Sequence, residues 1–175
     1  VTPFELIPYL LSQYTTVAEV KEALKDVSLV NINFSEKLPL SPLHWLMADK
    51  SGESIVVEST LSGLHVYDNP VHVLTNNPEF PGQLRNLANY SNIAPAQPKN
   101  TLVPGVDLNL YSRGLGSHFL PGGMDSASRL VKVAFVRAHS PQGNNELSSV
   151  TNYFPILHSV EQPKGTDEVG PNSYE

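Results

Sequence analysis

The segment at residues 43–60, LHWLMADKSGESIVVEST, constrains the fold more than any other part of this 175-residue sequence. Two runs rich in apolar and β-branched residues flank the polar triplet Lys50-Ser51-Gly52, which is the pattern of a β-hairpin. In the second run, SIVVE places apolar residues at consecutive positions, and this indicates a strand buried on more than one face. The sequence therefore predicts an antiparallel sheet that contains a strand covered on both sides.

Further strands are predicted on both sides of this hairpin. Residues 28–34, SLVNINF, alternate apolar and polar side chains, which is the period of a strand with one buried face. Residues 63–76, GLHVYDNPVHVLTN, indicate a strand pair hinged at Asn69-Pro70. Because these strands follow one another along the chain, the sequence predicts an antiparallel meander.

Two helices are predicted before the strands. Thr2 with Glu5 and Thr16 with Glu19 each have the spacing of a capping box, in which the side chains at a helix start exchange hydrogen bonds with the backbone. An apolar stripe at helical spacing follows the second box.

More helices are predicted after the strands. They are expected at residues 83–90, at a segment capped by Asp125, and at residues 146–160, where Pro155 should introduce a kink. The connection at residues 91–124 is rich in Pro, Gly and Asn. Loops longer than about 12–15 residues are commonly functional, interfacial or disordered.

The order of helices, strands and helices predicts an α+β fold in which helices pack on an antiparallel sheet. The length suffices for one domain with a hydrophobic core, so residues 1–175 are interpreted as a single incomplete domain. Both ends are expected to continue into a longer protein. A helix signal follows Val1 at once, and Tyr174 stands where another strand would begin.

Composition argues against several classes of function. The net charge of −6, with 11 scattered basic residues, argues against nucleic-acid binding. No apolar run reaches the roughly 18–20 residues needed to cross a membrane. The absence of cysteine excludes disulfides, cysteine-bound zinc and a thiol nucleophile within these residues, and it fits a cytosolic protein.

The candidates for a metal or phosphate site are weak. His65, Asp68 and His72 flank a proline-containing turn without a recognised ligand spacing, so ordinary strand histidines are favoured. The glycine-rich residues 112–123 lack the GxGxxG spacing and a following lysine, and they are predicted to form a loop. The sequence therefore predicts no metal and no cofactor.

Two polar residues leave both a structural and a functional interpretation open. Asn76 stands at the end of a predicted strand, before Asn77-Pro78, and its residue type favours a turn. Arg129 lies in the first turn of the helix capped by Asp125, where the helix dipole disfavours a cation. A solvated arginine is the simpler interpretation, but the unfavourable position leaves room for a role in a site.

Five segments together resemble the choloylglycine hydrolase family, which contains the bile salt hydrolases and penicillin V acylases of Gram-positive gut bacteria. The segments are PLSPLHWLMADKSGESIVVE, GLHVYDNPVHVLTNNPEF, YSRGLG, LPGG and SVEQPKGTDEV. The resemblance covers essentially all 175 residues, and TNNP and YSRGLG are closer to the bile salt hydrolase branch. It implies an N-terminal-nucleophile hydrolase fold, an αββα sandwich of antiparallel sheets between helical layers, of which this chain would be an internal piece.

The resemblance also implies site residues. The family's nucleophile is an N-terminal cysteine whose own α-amino group is the base, and because no such cysteine is present this chain alone is expected to be inactive. Asn76 matches the family's oxyanion donor, and Arg129 matches the arginine that favours the thiolate. Phe34 and Leu38 lie in a segment that matches a loop of the acyl pocket, where they could contact a steroid face.

The implied function is hydrolysis of glycine- or taurine-conjugated bile salts by a longer, cytoplasmic bacterial protein without a cofactor. Residues 91–124 match the family's oligomerisation arm and imply a homotetramer. A penicillin V acylase with the same machinery is one alternative. A non-catalytic binding or structural domain of the same fold is an alternative from another class. The sequence departs from the family at Gly123, where an aspartate is usual, and at Leu130, where a phenylalanine is usual.

Overall fold

The structure, a computed structural model of the chain, describes residues 1–170 and 173–174 and separates into two units, Val1–Leu74 and Thr75–Glu175. The first unit contains helices α1 (Leu6–Gln13) and α2 (Val17–Ala23) and strands β1 (His44–Ala48), β2 (Ser54–Thr60) and β3 (Gly63–Asp68). The second contains α3 (Phe80–Leu87), α4 (Ser126–His139), α5 (Glu146–His158), β4 (Glu168–Gly170) and β5 (Ser173–Tyr174). The predicted α+β class is confirmed, and the single domain stays a prediction.

Strands β1 and β2 form the predicted hairpin, and β3 pairs with the other edge of β2, so that all neighbours are antiparallel. In this register Val57 lies opposite Trp45 on one side and Val66 on the other. Ile55, Val56 and Val57 are each 0% exposed. Since consecutive residues of a strand point to opposite faces, β2 is buried on both faces, as its sequence predicts.

The two N-terminal helices pack against this sheet and close the core of the first unit. The buried cluster joins side chains of both helices to side chains of the sheet: Leu6, Leu10, Val17, Val20, Leu24, Trp45, Ile55 and Val57. Burial of one aliphatic side chain contributes about 1.5–3 kcal/mol to stability. This cluster therefore accounts for much of what holds the first unit together.

The second predicted capping box is confirmed, and the first is only half formed. Thr16 Oγ1 accepts from Glu19 N at 3.2 Å, while Glu19 Oε2 accepts from Thr16 N at 2.9 Å. At the other box Glu5 Oε2 accepts from Thr2 N at 3.1 Å, but the Thr2 hydroxyl donates to the same carboxylate. Glu5 N donates to the backbone oxygen of Thr2 at 3.1 Å and not to its hydroxyl, so a turn closes between the two residues and α1 begins only at Leu6.

Asp49, at the end of the β1 arm of the hairpin, ties the hairpin to the start of α2. Its Oδ2 accepts from Val17 N at 2.7 Å, and its Oδ1 accepts from Ser51 N at 2.8 Å. Hydrogen bonds from the Ser51 hydroxyl, the Val17 backbone and the Ser51 backbone lower the pKa of Asp49. The ionised carboxylate thus satisfies an N–H group that the helix itself leaves without a partner.

Asp49→Ala is expected to lower the free energy of unfolding at pH 7. A pKa lowered in the folded state gives stability that is present above the unfolded value of about 4 and is lost as pH falls through the folded value. The difference between wild type and variant in urea unfolding should therefore shrink between pH 7 and pH 3. Asp49→Asn, which keeps one acceptor without charge, should show a smaller loss at pH 7, and this loss should also shrink as the wild-type carboxylate becomes protonated. A difference for Asp49→Ala that stays constant over this range would contradict the carboxylate's role.

The strand predicted at residues 28–34 is wrong. Val30 N donates to Val1 O at 3.0 Å, and the side chains of Val30, Ile32 and Phe34 are all more than 40% exposed. Alternating apolar residues form a strand where a neighbouring strand supplies a ladder and a core covers one face. In the part of the chain that the structure describes, this segment has neither, and it remains a loop.

The second half of the strand pair predicted at residues 63–76 is also wrong, because Asn69 binds the backbone that a strand would use. Asn69 is 2% exposed, and its Oδ1 accepts from Val71 N at 3.2 Å and from His72 N at 2.8 Å. Its Nδ2 donates to Val73 O at 3.1 Å. His72 also has a φ of 55°, outside the β region. The chain therefore leaves the sheet after β3.

The three helices predicted for the second half are confirmed, with small differences at their ends. α3 begins before the predicted residue 83 and continues as a 3₁₀ turn at Ala88–Tyr90. α5 passes through Pro155 and ends at His158. The connection at residues 91–124 contains a 3₁₀ turn at Leu115–Ser117. Among the described residues no helix is long and apolar enough to cross a bilayer.

Candidate active site

Asn76 and Arg129 lie in direct contact, although 53 positions of sequence separate them. Arg129 Nη2 donates to Asn76 Oδ1 at 2.8 Å, and Arg129 Nε donates to Met124 O at 2.9 Å. Asn76 is exposed and Arg129 is half-buried. The second unit thus joins the two residues that the sequence singled out, and it holds the guanidinium at two points.

The guanidinium fixes the orientation of the Asn76 amide. Arginine carries only donors, so the atom of Asn76 that faces it must be the oxygen. The NH₂ group of Asn76 is then turned away from Arg129. An N–H donor held in one orientation is what stabilises a negative charge that develops on a substrate oxygen.

Arg129 projects from a helix whose start is capped by a carboxylate. Asp125 Oδ1 accepts from Ser128 N at 3.0 Å, as predicted, and hydrogen bonds from the Ser128 hydroxyl and backbone lower the pKa of Asp125. The ionised Asp125 offsets the unfavourable effect of the helix dipole on the nearby cation. A Cβ at Gly123 would lie 2.7 Å from Asp125 Oδ2, so glycine leaves the room that this cap occupies.

A buried glutamine of α3 joins the segment of Asn76 to the start of α4. Gln83 is 0% exposed, and its Nε2 lies 3.1 Å from Asn76 O and 3.3 Å from Asn77 O. It also contacts two hydroxyl oxygens, Thr75 Oγ1 at 3.2 Å and Ser126 Oγ at 3.0 Å. Thr75 Oγ1 in turn donates to Ser126 O at 2.9 Å. These five residues are called the Gln83 cluster below.

No sequence motif marks Gln83, but its position in α3 carries a signal. Phe80, Gln83 and Leu87 are three and four residues apart and therefore share one face of α3. A polar side chain on a buried face must find hydrogen-bond partners inside the protein. The prediction that Asn76 stands at the end of a strand is wrong. Asn76 lies in a bend, and its side chain is held by Arg129.

Phe34 and Leu38 lie in the first unit, in the loop between α2 and β1. Phe34 is 67% exposed and Leu38 is 56% exposed. The Phe34 ring packs edge-on against Phe4, with 5.5 Å between the ring centroids. Ser35 and Leu38 exchange two backbone hydrogen bonds, of 3.3 and 3.2 Å, which close a tight turn. The loop therefore carries two accessible apolar side chains.

The residues considered for a metal site have other partners. His65 Nε2 hydrogen-bonds the Ser62 hydroxyl at 2.8 Å, and Asp68 Oδ1 accepts from Lys21 Nζ at 2.6 Å. His72 Nδ1 contacts a serine hydroxyl of β2 at 2.9 Å. Within residues 1–170 and 173–174, no three His, Asp or Glu side chains are placed to hold a metal ion.

Comparison with solved structures gives the class of protein. A cysteine-to-alanine variant of the conjugated bile acid hydrolase from Clostridium perfringens matches with a TM-score of 0.85 and 34% identity, over 99% of this chain and 53% of that chain. The penicillin V acylase from Agrobacterium tumefaciens matches with a TM-score of 0.72 and 21% identity, over 99% of this chain and 47% of that one. The second likeness concerns the fold alone. The fold is that of an N-terminal-nucleophile hydrolase.

Sequence comparison gives the family. The sequence model of the linear amide C–N hydrolases, choloylglycine hydrolase family, matches residues 1–175. A bile salt hydrolase/transferase of Lactiplantibacillus plantarum is 55% identical over 175 residues, which are 100% of this chain and 54% of that protein. A conjugated bile acid hydrolase of Lactobacillus acidophilus is 38% identical over 93% of this chain and 52% of its own length.

The chain belongs to the choloylglycine hydrolase family, as the sequence motifs predict. It spans about half the length of the curated relatives it matches.

Proposed function

We propose that the full-length protein containing this chain cleaves the amide bond that links a bile acid to glycine or taurine. The hydrogen bond between Arg129 and Asn76 carries this proposal, because it places a cation beside an oriented amide in a chain of a linear-amide hydrolase family. The 55% identity to a bile salt hydrolase/transferase supports conjugated bile salts as the substrate class.

In the proposed reaction, an N-terminal cysteine supplies the thiol that these 175 residues lack, and its own α-amino group takes the thiol proton. The positive charge of Arg129 favours the thiolate. The thiolate attacks the amide carbonyl, and the Asn76 NH₂ group donates to the oxygen as it becomes negative. Collapse of this intermediate expels glycine or taurine, whose amine takes a proton. Water then hydrolyses the thioester and frees the bile acid.

Phe34 and Leu38 are proposed to contact the steroid face of the substrate, and their exposure supports this role. In the full-length protein, Phe34→Ala should raise KM for glycocholate by about five- to tenfold, since losing about 50 Å² of apolar contact costs roughly 1.2 kcal/mol. The change in kcat should be small. Leu61→Ala, at an exposed turn of the same unit, is the control and should leave both constants unchanged. An unchanged KM for Phe34→Ala would remove this loop from the substrate site.

A cytoplasmic homotetramer is the proposed form of the full-length protein. The loop at residues 91–124 exposes several large apolar side chains, which suit a contact between copies. They are Leu102, Val103, Val106, Leu108, Leu110, Tyr111 and Phe119. Sedimentation of the full-length protein tests the oligomeric state, and a monomer at micromolar concentration would overturn it.

The activity is tested by expressing the full-length protein and measuring release of glycine from glycocholate, taurine from taurocholate and phenoxyacetate from penicillin V. Faster turnover of the bile salts is expected, and preferred hydrolysis of penicillin V would favour the acylase alternative. Loss of turnover after alkylation with iodoacetamide is expected for a cysteine nucleophile. Absence of turnover on all three substrates would favour the non-catalytic alternative. The 175-residue chain by itself should be inactive.

A further inference from the structure

We propose that Gln83 is a positioning residue for this reaction, whose buried side chain holds the backbone of Asn76 against the start of the helix that carries Arg129. The inference rests on the proposed function and adds to it a residue outside the contact between Asn76 and Arg129. Gln83 meets three parts of the second unit at one point: its own helix α3, the segment Thr75–Asn77 and the start of α4 at Ser126.

The orientation of the Gln83 amide follows from its neighbours. The backbone carbonyls of Asn76 and Asn77 can only accept hydrogen bonds, so the nitrogen of Gln83 must face them. Its two N–H groups are shared among these carbonyls and the hydroxyls of Thr75 and Ser126, all between 3.0 and 3.3 Å. Together with the hydrogen bond from Thr75 Oγ1 to Ser126 O, this side chain therefore holds the Asn76 backbone relative to α4.

The oxygen half of the Gln83 amide differs from the nitrogen half. Gln83 Oε1 is buried and has no hydrogen-bond partner among the described residues. A buried acceptor without a partner lowers stability, and an apolar side chain of the same shape would avoid that cost. Gln83 therefore contributes through the carbonyl and hydroxyl oxygens to which its nitrogen donates.

The position of Asn76 depends on this contact because the residue lies in an exposed bend and not in a sheet. A displacement of about 1 Å in a group that acts on the transition state can lower a rate roughly 10²-fold. Loss of the Gln83 amide should therefore lower kcat and leave substrate affinity nearly unchanged.

The test is Gln83→Met in the full-length protein, with glycocholate as substrate, well below the melting temperature. Methionine keeps the shape and removes the amide, and kcat is expected to fall roughly 10- to 100-fold while KM changes less than about threefold. Val133→Ala is the matched control, because Val133 is buried in α4 outside the Gln83 cluster and its truncation also lowers stability. This control should keep kcat.

A double-mutant cycle separates positioning from a general loss of structure. If Gln83 acts through Asn76, Gln83→Met should have little further effect on kcat once Asn76 is alanine. Additive losses would overturn the positioning role. If Gln83→Met does not fold, Ser126→Ala replaces it in the same cycle, since it removes one hydroxyl of the cluster. It should lower kcat several-fold in wild type and not in Asn76→Ala.

The activity of the wild-type protein distinguishes a failure of the positioning role from a failure of the proposed function. An active wild type in which neither Gln83→Met nor Ser126→Ala changes kcat overturns the positioning role and leaves bile salt hydrolysis intact. A wild type that hydrolyses no conjugate overturns the proposed function and this inference together.

Discussion

Asn76→Ala in the full-length protein is expected to lower kcat for glycocholate by roughly 10²–10³, the usual loss for one oxyanion donor. KM should change much less, because the hydrogen bond from the amide strengthens mainly as the oxygen becomes negative in the transition state. Steady-state kinetics on purified, folded variant measures both constants. Equal kcat in wild type and variant would return Asn76 to the interpretation of a simple turn residue.

Asn76→Asp separates the donor from the contact with Arg129. Its carboxylate can still accept from Arg129 Nη2, but an oxygen replaces the NH₂ group that donates. Activity should therefore fall at least as far as in Asn76→Ala, although the contact to Arg129 remains. Asn77→Ala keeps the backbone carbonyl that Gln83 contacts, so it should cost about 1 kcal/mol of stability and spare most of the activity. The reverse pattern would mean that the two roles are exchanged.

Arg129→Ala is expected to raise the pKa of the nucleophilic thiol by about 1–3, because an adjacent opposite charge favours the thiolate by that amount. Alkylation by iodoacetamide at pH 7 should slow accordingly, and kcat/KM should fall with it. The free energy of unfolding should fall by about 1–3 kcal/mol, because Arg129 donates two hydrogen bonds. The pH dependence of alkylation between pH 5 and 10 measures the thiol pKa directly.

Arg129→Lys distinguishes the charge of Arg129 from its geometry. A lysine keeps the positive charge but lacks the planar fork that reaches Met124 O and Asn76 Oδ1 together. The thiol pKa should stay near the wild-type value while kcat falls. Arg137→Ala, about 12 Å further along the same helix, is the control and should change neither quantity. An unchanged alkylation profile in Arg129→Ala would make this residue an ordinary helix arginine.

Local signals in the sequence predicted most of the elements whose hydrogen bonds join nearby residues. The hairpin around Lys50-Ser51-Gly52 formed as predicted, and so did the caps at Thr16 and Asp125. The first box gave a shorter helix than predicted, because Glu5 N donates to the backbone oxygen of Thr2 and closes a turn before α1. Residue spacing does not show which acceptor a backbone N–H will choose.

The two wrong strands failed for a different reason. A pattern of alternating apolar residues indicates only which side chains could share a face. A strand also needs a neighbouring strand with which its backbone forms a ladder of hydrogen bonds. Backbone groups of residues 28–34 form hydrogen bonds with Val1 and with one another. The Asn69 side chain forms hydrogen bonds with the backbone groups that follow β3. Both outcomes depend on hydrogen-bonding groups that are not part of the alternating apolar pattern.

The sequence by itself determined the α+β class, the family and the two candidate residues Asn76 and Arg129, because residue order and long motifs carry that information. Only the tertiary structure decided that these two side chains touch across 53 positions and that Gln83 holds the Asn76 backbone. The physical reason is that hydrogen bonds between distant segments form only after helices α3 and α4 have packed. A sequence pattern specifies the faces of each helix, whereas packing specifies which polar atoms meet.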